Sequence, residues 1–141
     1  MVKRQKFSVS ENGEKWIGYL QRVYFSKTFT AKNFNTIQFA KINELPSGNL
    51  ILQLKENLGL SFIQCKIVLR IYYAIHCINE GYLKLHTVEG LANECGFNSR
   101  SRFSVVFKAV THYTPKEYAE KTRQTLPKWK ELIAKCQALS V

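Results

Sequence analysis

Thr87–Tyr118 reads TVEGLANECGFNSRSRFSVVFKAVTHYTPKEY, and its punctuation decides the fold. Val88, Leu91 and Ala92 fall three and four apart, one face of a 3.6-residue helix. Gly96 follows at once, where a helix C-terminus wants a residue free to adopt positive φ. Asn98 and Ser99 are both good N-cap types, and beyond them Phe103, Val106 and Phe107 return to helical spacing. The opposite edge of this second helix offers Arg100, Ser101, Arg102 and Lys108. Thr114-Pro115-Lys116-Glu117 is a capping box with proline at the first helical position, so another helix starts there. Two short amphipathic helices about a glycine turn, with small Ala92 for close contact and a basic outer edge on the second, predict a helix-turn-helix.

The run A-N-E-C-G-F-N-S-R-S-R-F-S-V-V-F-K, then T-P-K-E-Y, resembles the second helix-turn-helix of the AraC/XylS transcription regulators over about thirty positions. The resemblance implies an all-α fold, with two homeodomain-like helix-turn-helix subdomains joined by a long central helix. It implies sequence-specific binding of double-stranded DNA, no cofactor, and a second copy of the motif earlier in the chain. In many members of that family a separate sensor domain precedes this unit.

The earlier copy is visible without any alignment. Leu50, Leu54, Lys55, Gly59 and Ser61 stand 53 residues before Phe103, Phe107, Lys108, His112 and Thr114. Upstream, Phe39-Ala40 precede Leu91-Ala92 by 52, so the first copy has a turn one residue shorter. Ser61-Phe62-Ile63-Gln64 is a capping box opening a helix that Asn79-Glu80-Gly81 can end. That helix is apolar nearly all round, which predicts burial between other elements. At about 1.5 Å per residue it spans roughly 27 Å, close to the ~34 Å between successive major-groove faces on one side of B-DNA. The expected organisation is a basic flexible arm (1–13), a first helix-turn-helix subdomain (14–60), a connecting helix (61–80), a second subdomain (81–123) and a C-terminal helical extension (124–141). The extension is expected to begin its helix at Pro127. Its apolar stripe of Leu126, Trp129, Leu132, Ile133, Cys136 and Leu139 serves either the core or a partner, the transcription machinery or a second protomer.

Composition fits this reading. The 141 residues are 45% hydrophobic and 13% aromatic, enough to bury a core. Twenty-one Lys and Arg against 10 acidic residues, all Glu, give a net charge of +11, which favours an anionic partner. Cys65, Cys77, Cys95 and Cys136 show no CxxC and no finger spacing, so buried free thiols in a reducing cytoplasm, at the nucleoid, are expected rather than zinc or disulfides. The most apolar stretch, Leu60–Ile78, carries Lys66 and Arg70. Each would cost about 2.5–3.5 kcal/mol at a bilayer centre, which argues against a membrane span. His76, His86 and His112 are scattered, with no Asp to orient them and no phosphate loop, so no catalytic constellation is expected.

Base reading requires side chains that reach base edges from a helix held in the major groove by phosphate contacts. The resemblance assigns Arg100, Ser101, Arg102 and Val105 to base edges; Lys108, Lys116, Lys121 and Arg123 are the expected phosphate contacts. The first copy departs from the pattern. Its reading helix is expected from Ser47, with Ser47, Gly48, Asn49 and Lys55 as weak DNA contacts, yet Ile51 and Leu52 stand where the family shows polar residues. Glu44 replaces its turn glycine, and His112 in the second copy stands where the family commonly has glycine, which predicts positive φ there. The competing reading keeps the fold but binds protein through Ile51, Leu52 and the last helix, with weak or non-specific DNA binding.

Overall fold

The computed structural model describes residues 11–121 and 125–140, and among these there are helices and turns but no strand. Helix α1 (Glu11–Ser26) buries Trp16, Ile17, Leu20 and Val23. It starts inside the arm expected over residues 1–13; the rest of that arm lies outside the described residues. A 3-10 turn at Thr28–Thr30 then seats Phe29 in the core. The first motif is α2 (Thr36–Ile42) and α3 (Leu50–Leu58), both packed on α1. The reading helix therefore begins at Leu50, not Ser47. Gly48 disfavours helix by about 1 kcal/mol and Asn49 makes no side-chain cap, so Ser47–Asn49 form a turn.

The Ser61–Gln64 capping box opens α4 (Phe62–Asn79), and Gly81 at φ 92° follows its end. Twelve of the 18 residues of α4 are buried, as the all-round apolar pattern requires. A one-turn helix α5 (Tyr82–Leu85), absent from the sequence reading, leads into α6 (Val88–Cys95), α7 (Arg100–Thr111) and α8 (Pro115–Glu120). The last helix, α9 (Trp129–Gln137), starts two residues after the expected Pro127. No single helix among the described residues is long and apolar enough to cross a membrane. Helices α3 and α4 together pass that test of length and composition, but they are bent by 65° and α4 is buried.

Within α9 itself the stripe is spent inside the protein. Trp129 stacks on Tyr72 of α4 at 4.1 Å between ring centroids, with Tyr24 of α1 edge-on at 5.3 Å. Leu132, Ile133 and Cys136 are buried. Gln137 donates from Nε2 to the Leu58 carbonyl at 2.7 Å, and Gln64 donates to the Leu139 carbonyl at 3.1 Å. Helix α9 also touches α7, so it braces the first motif, the central rod and the second motif together. That packing accounts for Trp129, Leu132, Ile133 and Cys136 as core, while Leu126 of the same stripe stays exposed.

Arg70 is the most consequential buried polar residue. From the middle of α4 its Nε donates to the Phe29 carbonyl and an Nη to the Ala31 carbonyl, both at 3.0 Å. Burial lowers its pKa below the usual arginine value. Asn43 is buried likewise; its Nδ2 donates to the Tyr19 and Phe39 carbonyls and ties α1 to the end of α2.

The two copies share their strained positions. Gly96 (φ 101°) and Glu44 (φ 56°) occupy the turn inside each motif; His112 (φ 72°) and Gly59 (φ 67°) follow the reading helices. Each copy thus has one glycine and one non-glycine at the two left-handed sites. His112 takes the positive φ expected of it, and a side chain there costs about 1–2 kcal/mol. His112→Gly is expected to raise unfolding free energy by about 1 kcal/mol net of glycine's added unfolded-state entropy. Denaturant titration checks this, and an unchanged or lower midpoint would refute the strain.

Candidate nucleic-acid interface

Local chemistry sets the pose of α7. The Thr87 hydroxyl accepts from the Gly90 N–H at 2.9 Å and starts α6. Gly96 turns the chain, and the Phe97 N–H closes back onto the Ala92 carbonyl at 2.9 Å. The Ser99 hydroxyl then accepts from the Arg102 N–H at 3.1 Å, so the first turn of α7 is capped by a side chain. Phe103, Val106, Phe107 and Val110 anchor the underside. Arg100, Ser101, Arg102, Val105 and Lys108 are consequently exposed on the outer face, Val105 at 66%.

Helix α8 contributes beside it. Its capping box pairs Thr114 with Glu117, and the Thr114 N–H donating to that carboxylate holds Glu117 below its usual pKa, with the Lys108 charge acting in the same direction. Lys116 is exposed on α8, and it shares with Arg100 a groove of 630 Å³ that also takes in Lys84, His86, Thr87 and Glu89. Lys84 and His86 are not legible from the sequence as groove residues, because nothing in the spacing announces the short α5 that carries Lys84 and ends at His86. Lys121 lies just past α8 with its ammonium 4.2 Å from the Tyr113 ring centre, a cation–π contact that holds its stem. Arg123 lies outside the described residues.

The first motif repeats this geometry with different chemistry. Leu45 N–H bonds to the Ala40 carbonyl at 2.8 Å, the counterpart of Phe97 on Ala92. Asn49 occupies the cap position of α3 but makes no side-chain cap hydrogen bond. Ser47, Gly48, Asn49 and Lys55 are all exposed, the first three in the turn and only Lys55 on the helix. Ile51 and Leu52 are exposed on α3 as well.

The model of the helix-turn-helix domain family matches residues 40–121, more than half of the chain. The chain belongs to the AraC-type helix-turn-helix family. Helices α1 and α9 lie outside the matched span. Among solved structures, the chain is similar to the C-terminal domain of AraT, a response regulator from Geobacillus stearothermophilus. That match has 19% identity and a TM-score of 0.59, covering 84% of this chain and 92% of that one. It is also similar to the C-terminal domain of the two-component response regulator yesN from Fusobacterium nucleatum subsp. nucleatum, at 23% identity and a TM-score of 0.58, covering 75% of this chain and 99% of that one. At these identities the likeness speaks for the AraC-type fold alone. No curated protein matches the chain.

The four cysteines of this AraC-type domain are buried and free. Burial raises all four thiols, Cys136 to about 12, which keeps them protonated and unreactive at neutral pH. Among the described residues no group of three or more His, Cys, Asp or Glu is placed to hold a metal ion.

Proposed function

We propose that the chain is a transcription regulator that binds double-stranded DNA sequence-specifically at the nucleoid, with α7 as its principal reader and without catalysis. The observation that carries this is the exposed first turn of α7, where Arg100, Ser101 and Arg102 stand on a capped helix with a fully packed underside. Arginine can meet guanine O6 and N7 with two hydrogen bonds, and Val105 can meet only a thymine methyl. Lys108, Lys116 and Lys121 take phosphates beside that first turn, and Arg123 is assigned the same role. Ser47, Gly48, Asn49 and Lys55 make the weaker contacts of the first motif. The rod α4, roughly 27 Å long, joins the two motifs, a length of the same order as the ~34 Å between successive major-groove faces.

Selection from random duplex DNA tests this directly and is expected to return a defined sequence. Affinity for that sequence should fall with salt, because each neutralised phosphate releases counterions. About four such contacts give roughly a hundredfold loss between about 50 and 200 mM salt. Salt-independent binding, or no enriched sequence, would overturn the reading.

A further inference from the structure

We propose that Ile51 and Leu52 of α3 read thymine, through its C5 methyl group, in the part of the DNA site one helical turn from the part read by α7. The proposal rests on the DNA-binding reading above and adds a base preference to it.

Ile51 and Leu52 are 62% and 54% exposed, while Leu50, Leu54 and Leu58 on the other side of the same helix are at most 1% exposed. A helix with a complete core face has no packing need for two more aliphatic side chains in water. By the 53-residue offset, Leu52 corresponds to Val105, so both reading helices expose an aliphatic residue at one register. Lys55 corresponds likewise to Lys108. The remaining cations do not repeat: Arg100, Arg102 and Lys116 have Ser47, Asn49 and Ile63 as counterparts.

The first motif exposes Lys41 on α2 and Lys55 on α3, against Arg100, Arg102 and Lys108 on α7 alone, and beside Ser47 and Asn49 its outer face is aliphatic. Among the base edges of the major groove, the apolar group is the thymine methyl. Glu56, one turn beyond Leu52, disfavours phosphate at that end and keeps the contact centred on the first turn of α3. A protein partner fits less well. Ile51 and Leu52, even with exposed Ile37 and Ile63 on the neighbouring helices, stand among exposed Asn49, Lys55 and Glu56 and fall short of the roughly 800 Å² per partner of a stable protein interface. The brace of α9 on α3, α4 and α7 also carries α3 to the duplex whenever α7 docks.

The test uses the whole chain and its selected duplex, with thymine replaced by deoxyuridine in one half at a time. Uracil differs from thymine only by the methyl. Each buried methyl group is worth about 0.8 kcal/mol, or about fourfold in affinity. Uracil in the α3 half should weaken the wild type about fourfold per methyl contacted. The Ile51→Ala/Leu52→Ala double variant should bind the thymine duplex weakly and be indifferent to uracil. Both side chains are exposed, so circular dichroism of the variant should match the wild type; the uracil comparison on the wild type needs no variant at all. If the α7 half is selected but the α3 half is random or tolerates uracil, the thymine proposal falls, the DNA-binding reading stands, and the face passes to a protein partner. If no sequence is selected, both fall.

Discussion

Gly96→Ala is expected to lower the unfolding free energy by about 3–5 kcal/mol, a large share of what a domain of this size has to lose. Two costs combine. At φ 101° an L-residue meets its own backbone, worth about 1–2 kcal/mol. A Cβ at this site would also lie 2.7 Å from the Thr30 carbonyl oxygen and 2.9 Å from Arg70 Nε. Neither neighbour can retreat cheaply. Thr30 sits in a 3-10 turn closed by its own N–H on the Lys27 carbonyl at 3.1 Å, and Arg70 is committed to Phe29 and Ala31. Displacing the guanidinium would strand two carbonyls and a buried charge, and hydrogen bonds to charged groups are worth about 1.5–3 kcal/mol each. Denaturant unfolding of the variant measures the loss. A cost under about 1 kcal/mol would mean that the turn relaxes freely and that Arg70 does not hold it. Glu44→Ala, at the matching but exposed turn of the first motif, replaces one side chain by another at φ 56° and should cost little.

That contrast shows where sequence reading reaches and where it stops. Gly96 is legible from its place after a helical stripe, which requires only positive φ. The contact that makes it irreplaceable comes from Thr30 and Arg70, far off in the chain, and no local pattern brings those together. Arg70 itself was legible only as a charge unsuited to a bilayer; its partners are carbonyls 41 and 39 residues upstream. Caps were the reverse case. Ser61 with Gln64 and Thr114 with Glu117 satisfy helix N-termini within four residues, and both boxes form as read. The start of α3 lies later than the spacing predicts because Asn49 supplies no side-chain cap, leaving the boundary to be settled by packing of Leu50, Leu54 and Leu58 on the α1–α2 pair. The stripe on α9 was visible, but its destination was not, since Tyr72 and Tyr24 receive Trp129 through tertiary contact. For the interface, helical periodicity was enough to place Arg100, Ser101, Arg102, Val105 and Lys108 outward, because the apolar face of α7 fixes the polar one. The Lys84–His86 side of the groove needed α5, which is a single turn with no buried residue and no side-chain cap to announce it.

Arg100→Ala and Arg102→Ala should separate base reading from phosphate binding. Both arginines are exposed on the first turn of α7, and the cap depends on the Ser99 hydroxyl and the Arg102 backbone N–H, which alanine retains. Unfolding free energy is therefore expected to stay within about 0.5 kcal/mol of the wild type. Affinity for the selected duplex should fall by about 1–3 kcal/mol for each arginine that pairs with a guanine, roughly 5- to 150-fold. The loss should be confined to one base-pair position, so that the variant no longer distinguishes substitutions there. Arg→Lys at the same site should restore charge and salt dependence but not selectivity, since an ammonium cannot present the two-pronged edge that guanine matches. Lys108→Ala should behave differently: weaker on all sequences to a similar extent, with a salt slope reduced by about one. Lys108 lies two turns along the helix from Arg100 and feels Glu117 beside it, so its lost charge is felt by the backbone rather than by a base. Full selectivity in both arginine variants would sink the assignment of α7 as reader. Since the first motif keeps only Lys55 of the corresponding cations, the sequence preference would then have to come from α3 alone, and uracil substitution would become the stronger of the two perturbations.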